Sequence, residues 1–477
     1  MRNNIINTIF VCTAYLTIIV LVFFNLKNCF FWDTVQLASG HANYYFTTNF
    51  SQLLLPNEID SGHIPAFGMY IAFVWKLFGR TLPISHLAML PFAIGIVWQL
   101  YKLCGKFISE KYRGIALLLI LADPSLLSQV TLVSPDVALV FFFFLAINAA
   151  LENKKWLLSI SVLLLFMTSM RGMMVSVCIL GLDLYCNVNF RIPKKEIFRS
   201  LTRKSIFYLP AMMLFISYNL YHYIQKGWIG YHKDSPWAQC FKPVEDVNGF
   251  LFNIGLYGWR MLDFGRIGIW MVFFILLALY KKQLFKSKQH ILLALFVALL
   301  LVVLPLNMLW AKNLMGHRYF MPCYLIFALF CASALFSDFV APKLKYILSG
   351  LWLVVLLSGN FWIYPPKIAQ GWDATLAHLP YYKLRKKAIQ YIDKEKIDFK
   401  EVQTFFPNTA TLDRIDLNND FRNFENFDGK SRYVFYSNVF NIEDAVYDQI
   451  NLNYIKVKSF KSKGIEIVIF KKKTSRF

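Results

Sequence analysis

Four charged side chains stand at the ends of long apolar runs: Asp33, Asp136, Arg171 and Arg318. A charge at such a place is costly unless it faces water or a partner, so each marks a site where chemistry could be done. A carboxylate sheltered from water can take a proton from a hydroxyl. An arginine fork can hold a phosphate through two parallel bonds. Each residue also has a plain structural alternative. Ser134-Pro135-Asp136 and Asp123-Pro124 both make good helix starts, because the free N–H groups of a first turn favour negative charge. Arg318, in His317-Arg318-Tyr319-Phe320-Met321-Pro322, could snorkel at an interface, and Arg171-Gly172 could pair internally.

Residues 27–63 add His41, Glu58, Asp60 and His63 to Asp33. Carboxylates and imidazoles together can hold a divalent cation, with Asp33, His63 and Asp136 as candidate ligands. Their irregular spacing leaves solvated loop histidines as the other reading. Residues 224–266 contain Trp228, Trp237 and Trp259 near Asp234 and Asp246. With Trp32 and Tyr319, Trp237 and Asp234 are candidate substrate contacts. Rings beside carboxylates suit a sugar, whose CH faces stack while its hydroxyls bond, and they suit a membrane interface equally well.

The elements that must position these groups are membrane helices. Of 477 residues, 57% are hydrophobic and only 16% charged, against about 25% charged in a soluble domain. Apolar runs predict about eleven spans, at 8–26, 82–101, 114–130, 136–151, 156–170, 172–188, 205–223, 267–280, 290–308, 319–337 and 346–363. The loops holding Lys102, Lys106, Lys111, Arg113, Lys154, Lys155, Arg191–Lys204, Lys281–Lys288, Lys343 and Lys345 then fall on the side of the N-terminus. The positive-inside rule makes that side cytoplasmic. Residues 63–79 fit this scheme as an interfacial or re-entrant helix on the outer face. The hairpins 114–151 and 156–188 leave about 16 residues per crossing, short of the ~20 a full span needs. Their outer tips are therefore expected to lie within the outer leaflet, where a lipid headgroup could enter.

The net charge of +22 is read as topology signal and headgroup contact, and nucleic acid is not an expected partner. The eight cysteines show no disulfide or zinc spacing. The first apolar run lacks a small-residue cleavage site and is expected to be a retained span. Of 14 acids in the first 363 residues, nine fall on the expected outer side, so carboxylate chemistry has its material there.

Taken in order, these residues resemble a family. An acid follows the first span (Asp33). Gly62-His63-Ile64-Pro65-Ala66 is similar to a GHPPL segment closing the first outer loop. Ser134-Pro135-Asp136 is an SPD-type motif, and Arg318-Tyr319 with Pro322 an RY…P motif. The chain, over residues 1–335, thus resembles the GT-C membrane glycosyltransferases of the protein O-mannosyltransferase and aminoarabinose (lipid A) transferase group. The resemblance implies a polytopic helical bundle in a bacterial inner membrane, with a polyprenyl-phosphate-linked sugar donor and a lipid, glycan or protein acceptor. It implies Asp33 as general base of an inverting displacement, Asp136 as a possible second carboxylate, and Arg171, Arg318, His63 and His317 as contacts to the donor phosphate. Two positions depart from the pattern: Thr34 stands where many relatives carry a second acid, and Ile64 where they carry proline.

From residue 364 the composition turns polar, with 20 basic and 14 acidic residues. An amphipathic helix is expected at 381–393, a strand at 433–437 and a hairpin of 454–460 with 465–471. These define a small outer α/β domain, 364–477, after a transmembrane domain, 1–363, with outer loops 27–81 and 224–266. Two other readings remain open: a transporter or flippase, and an oligosaccharide polymerase or ligase using a diphosphate-linked donor.

Overall fold

The computed structural model describes residues 2–189, 191, 193–230, 232–233, 238–312 and 315–473. Asp234 and Trp237 lie outside the described residues. Among the described residues, six helices are long and apolar enough to cross a membrane: Ile5–Phe24, Leu82–Phe107, Ile267–Leu284, Lys288–Leu309, His317–Leu335 and Pro342–Phe361. A seventh is added if Glu110–Leu121 and Pro124–Val130, bent by 73°, count as one broken span. All eleven expected stretches are helical, but the others are short or carry polar groups along their length. Pro135–Leu151 and Lys155–Thr168 have 17 and 14 residues. At 1.5 Å per residue they reach roughly 26 and 21 Å, less than the ~30 Å hydrocarbon thickness.

His317–Leu335 is the axis of the bundle and is almost wholly buried. Its apolar surface is continuous around the helix, as expected of an element packed on all sides. The basic loops meet at one end: Lys102, Lys106 and Lys154 ring Glu152 at 2.8, 3.0 and 2.8 Å, and Lys204 reaches Asn153 Oδ1 at 2.7 Å. The C-terminus of the first helix and the N-termini of Pro135–Leu151, Met170–Asn187 and Met321–Leu335 lie at the other end.

The segment 63–79 forms the helix Ala66–Phe78. Phe67, Ile71 and Trp75 recur every fourth residue on its buried face, while Phe73, Leu77 and Phe78 point outward. That pattern suits a helix lying along an interface.

The C-terminal segment carries a five-stranded sheet. We label its strands β1 (Val402–Thr404), β2 (Glu425–Asn426), β3 (Tyr433–Ser437), β4 (Tyr454–Ser462) and β5 (Ile465–Lys472), in spatial order β2-β1-β3-β5-β4. β5 pairs antiparallel with β3 on one side and β4 on the other, and β1 pairs in parallel with β2 and β3. The expected strand, hairpin and helix (Pro380–Lys394) are all present. The segment docks on the early chain: Arg80 pairs with Asp413 at 2.5 Å, Ser39 Oγ donates to Arg414 O at 2.5 Å, and Phe30 N donates to Ile415 O at 3.0 Å.

Candidate functional site

Asp33 is carried by a turn that its neighbour closes. Thr34 Oγ1 accepts from Phe31 N at 2.9 Å and donates to Phe31 O at 2.7 Å. The position where a second acid was expected is thus spent on local geometry. Trp32 sits at φ +51°, an outlier for a bulky residue and typical of strain held at functional sites. A π-helical stretch, Val35–Gly40, follows directly.

Asp136 is not the cap of its helix. Ser134 Oγ fills that role, accepting from Asp136 N at 3.2 Å. The Asp136 carboxylate is left to face two arginines: it pairs with Arg171 Nη1, and its Oδ2 lies 3.4 Å from Arg318 Nε. Arg171 is delivered by a tight break between Lys155–Thr168 and Met170–Asn187. Ser169 caps the second helix, and a Cβ at position 172 would come within 1.9 Å of Leu165 O. Only glycine fits there, which gives the Arg171-Gly172 pair its physical reason.

Arg318 joins the parts. Its Nη2 binds Asp33, its Nη1 binds Asp373 Oδ2 at 2.5 Å, and its Nε faces Asp136. The Tyr319 ring lies under both guanidinium groups, 4.3 Å from that of Arg171 and 5.1 Å from that of Arg318. Asp373 comes from the segment after the last apolar helix. Its backbone carbonyl accepts from Ser128 Oγ and Gln129 Nε2, each at 2.8 Å, on the short helix Pro124–Val130. Burial pushes its carboxyl up; Arg318 opposes this, while Asp33 and Asp136 add to it.

Two cavities meet at this cluster. One, of about 140 Å³, is lined by His63, Pro65, Thr168, Met170, Arg171 and Met308. The other, of about 250 Å³, is lined by Trp32, Arg260, His317, Trp372, Asp373 and Phe406. Asp33, Arg318, Tyr319 and Cys240 border both. One water needs only ~10–15 Å³ by such a measure, so each has room for a ligand group.

The remaining sequence candidates are spread around this centre. His63 lines the first cavity, and burial together with Arg171 lowers it to about 4, so it is neutral at pH 7. His317 lines the second, but its Nε2 binds Asp263 Oδ2 at 2.7 Å, and Asp263 also takes Tyr364 OH and Phe264 N. Asp60 anchors residues 27–63 through His222 Nε2 at 3.0 Å and Lys226. Burial would raise its carboxyl, but bonds from His222, Lys226 and Gly62 N outweigh this and leave it below the usual value. Among the described residues, no three His, Cys, Asp or Glu side chains gather as a metal site. The carboxylates of Asp33, Asp136 and Asp373 instead surround the fixed charge of Arg318.

Sequence reasoning missed Asp373. Asp373 sits in Gly371-Trp372-Asp373 without an apolar run beside it, so nothing local marked it.

No family model matches this chain, and no curated protein matches it by sequence. Solved structures do match. ArnT from Cupriavidus metallidurans in the apo state is 10% identical, with a TM-score of 0.50, over 97% of both chains. The same protein bound to undecaprenyl phosphate gives a TM-score of 0.49, 10% identity and the same coverage. The chain is a multi-pass membrane protein that shares the fold of this ArnT.

Proposed function

We propose that the chain is an integral-membrane glycosyltransferase that moves a sugar from a polyprenyl-phosphate carrier to an acceptor hydroxyl at the outer face of a bacterial inner membrane. The observation that carries this reading is Arg318, bound to Asp33 and Asp373 and facing Asp136 at the junction of two cavities, with Arg171 alongside. The fold is the one the chain shares with ArnT from Cupriavidus metallidurans. In this reading residues 1–363 are a transmembrane domain of about eleven crossings, some short. Residues 364–477 are a periplasmic α/β domain, and the N-terminus is cytoplasmic.

The carrier phosphate enters the first cavity, beside Arg171, and competes with Asp33 and Asp136 for the two guanidinium groups. Asp33, freed from Arg318 at the border of the second cavity, takes the proton of the acceptor hydroxyl. The acceptor oxygen bonds to the anomeric carbon as the bond from that carbon to the phosphate oxygen breaks. The electron pair leaves on the phosphate, converting a diester anion into a more highly charged monoester. Arg171 and Arg318 meet that growing charge as fixed, partly desolvated donors. One direct displacement inverts the anomeric centre. Neutral His63 offers hydrogen bonding without charge, His317 supports the wall of the second cavity, and Trp32 and Tyr319 present ring faces to the sugar. A divalent cation could still assist the departing phosphate, but the two arginines supply the charge it would bring.

The test uses purified protein in proteoliposomes. Radiolabelled polyprenyl-monophosphate sugars, diphosphate-linked oligosaccharides and the bare carriers are supplied in parallel. Sugar released from a monophosphate donor, and lost in Asp33→Asn, supports the proposal. Turnover of diphosphate donors alone would make the chain a polymerase or ligase. Carrier movement across the bilayer without any release of sugar would make it a flippase.

A further inference from the structure

A third cavity, of about 740 Å³, lies between residues 363–370 and the C-terminal sheet. Its size falls within the ~300–1,000 Å³ range of small-molecule sites. It shares Ala369, Trp372 and Asn441 with the cavity above Asp33 and Asp373, so the two adjoin. The proposed reaction uses nothing in this groove.

Its lining separates structural from available groups. The Gln370 amide is spent on Tyr364 N at 2.6 Å and Trp362 O at 2.7 Å. The Asn438 amide is spent on Gly464 O at 2.8 Å and Glu466 N at 2.9 Å. Tyr436 and Tyr447 stand side by side, ring centres 5.6 Å apart and inclined at 48°, and Asn441 lies exposed at the seam between the two cavities. Charge is nearly balanced: Lys367 pairs with Asp448 at 2.9 Å and Lys461 with Glu466 at 3.2 Å. The groove thus offers ring faces, phenol hydroxyls and an amide with little net charge, which is the chemistry that recognises sugar rings. A peptide is less suited. Tyr436 lies on β3, which is paired on both sides by β1 and β5, so the backbone beneath the rings offers no free strand edge to an extended peptide, and the edge strand β4 reaches the groove only with Lys461 and Ser462 at its hairpin end.

We propose that this groove binds a hydroxyl-rich glycan acceptor and leads its end to Asp33. The word acceptor rests on the function proposed above; the binding of a glycan does not. The experiment therefore measures binding alone, on the full chain in nanodiscs without donor. Maltohexaose, chitohexaose and dextran oligomers are the probes, followed by saturation-transfer NMR, with Ser/Thr hexapeptides in parallel. At least one glycan is expected to bind the wild-type chain. Tyr447→Ala with Asn441→Ala is expected to weaken it by about tenfold. Tyr447→Phe, which keeps the ring and guards against misfolding, is expected to weaken it less. Absence of glycan binding, equal binding in all variants, or binding of the hexapeptides in place of the glycans would overturn the proposal. If glycans bind as expected but no sugar is transferred, the transferase reading fails and the groove stands.

Discussion

Arg266 and Arg318 are both buried arginines held by carboxylates at the same end of the bundle, yet they are built differently. Arg266 faces one partner: its Nε and Nη2 bind Asp123 at 2.8 and 2.9 Å, Ser125 Oγ accepts at 2.7 Å, and the Tyr324 ring covers its face at 3.8 Å. Asp123 also caps the helix Pro124–Val130 through Ser125 N and Leu126 N. Every group there is matched and sealed. Arg318 is shared by three acids drawn from distant parts of the chain, and cavities open on either side of it. A one-to-one sealed pair holds the fold. An arginine with more carboxylates than it can match, next to open space, is arranged to exchange partners.

The contrast can be broken in graded ways. Removing one member of the sealed pair leaves a buried charge, so Asp123→Ala should cost about 3–5 kcal/mol, seen as a large fall in the thermal midpoint in detergent. Arg318→Lys keeps a charge but loses the fork, so turnover should fall by about 10²–10³ while the midpoint moves little. If the two variants instead behave alike, the distinction fails. Arg171→Ala removes a charge-assisted contact worth about 1.5–3 kcal/mol, and should raise the KM for donor by roughly tenfold or more with a smaller change in acceptor KM.

A pH effect is smaller but specific. The Asp373 carboxyl is held above its usual value by burial. As pH falls toward that raised value it takes a proton and releases Arg318, so donor affinity should rise, and Asp373→Asn should flatten this dependence. Asp60 runs the other way. Its folded value is lowered, so its contribution to stability is complete above the ordinary carboxylate range, near pH ~4, and is lost as pH falls through the lower folded value. Thermal midpoints of Asp60→Asn should lack that acid-dependent decline.

The same comparison explains what could be read from residues alone. Asp33, Asp136, Arg171 and Arg318 were visible because each interrupts an apolar run, and the structure brings all four together. Asp123 and Asp136 looked equivalent, each beside a proline at a helix start. Only packing separates them, since Ser134 takes the capping role for one helix and Asp123 keeps it for the other. Asp373 was invisible because it is brought to Arg318 by Ser128 and Gln129, some 245 residues earlier in the chain. The helices, Ala66–Phe78 among them, and the C-terminal hairpin followed from periodicity and turn residues. The number of crossings is less legible, since among the described residues six helices meet the length and apolarity of a full crossing and the others are shorter or more polar.

The central claim is that Asp33 withdraws the acceptor proton beside a phosphate held by Arg318 and Arg171. It is tested most directly by single-turnover transfer from a radiolabelled polyprenyl-monophosphate sugar in wild type and Asp33→Asn, with donor binding measured on the same samples. The account predicts that Asp33→Asn binds donor at least as well as the wild type, because Arg318 has lost a competing carboxylate, and that it transfers no sugar above background. Transfer at the wild-type rate by Asp33→Asn would contradict it.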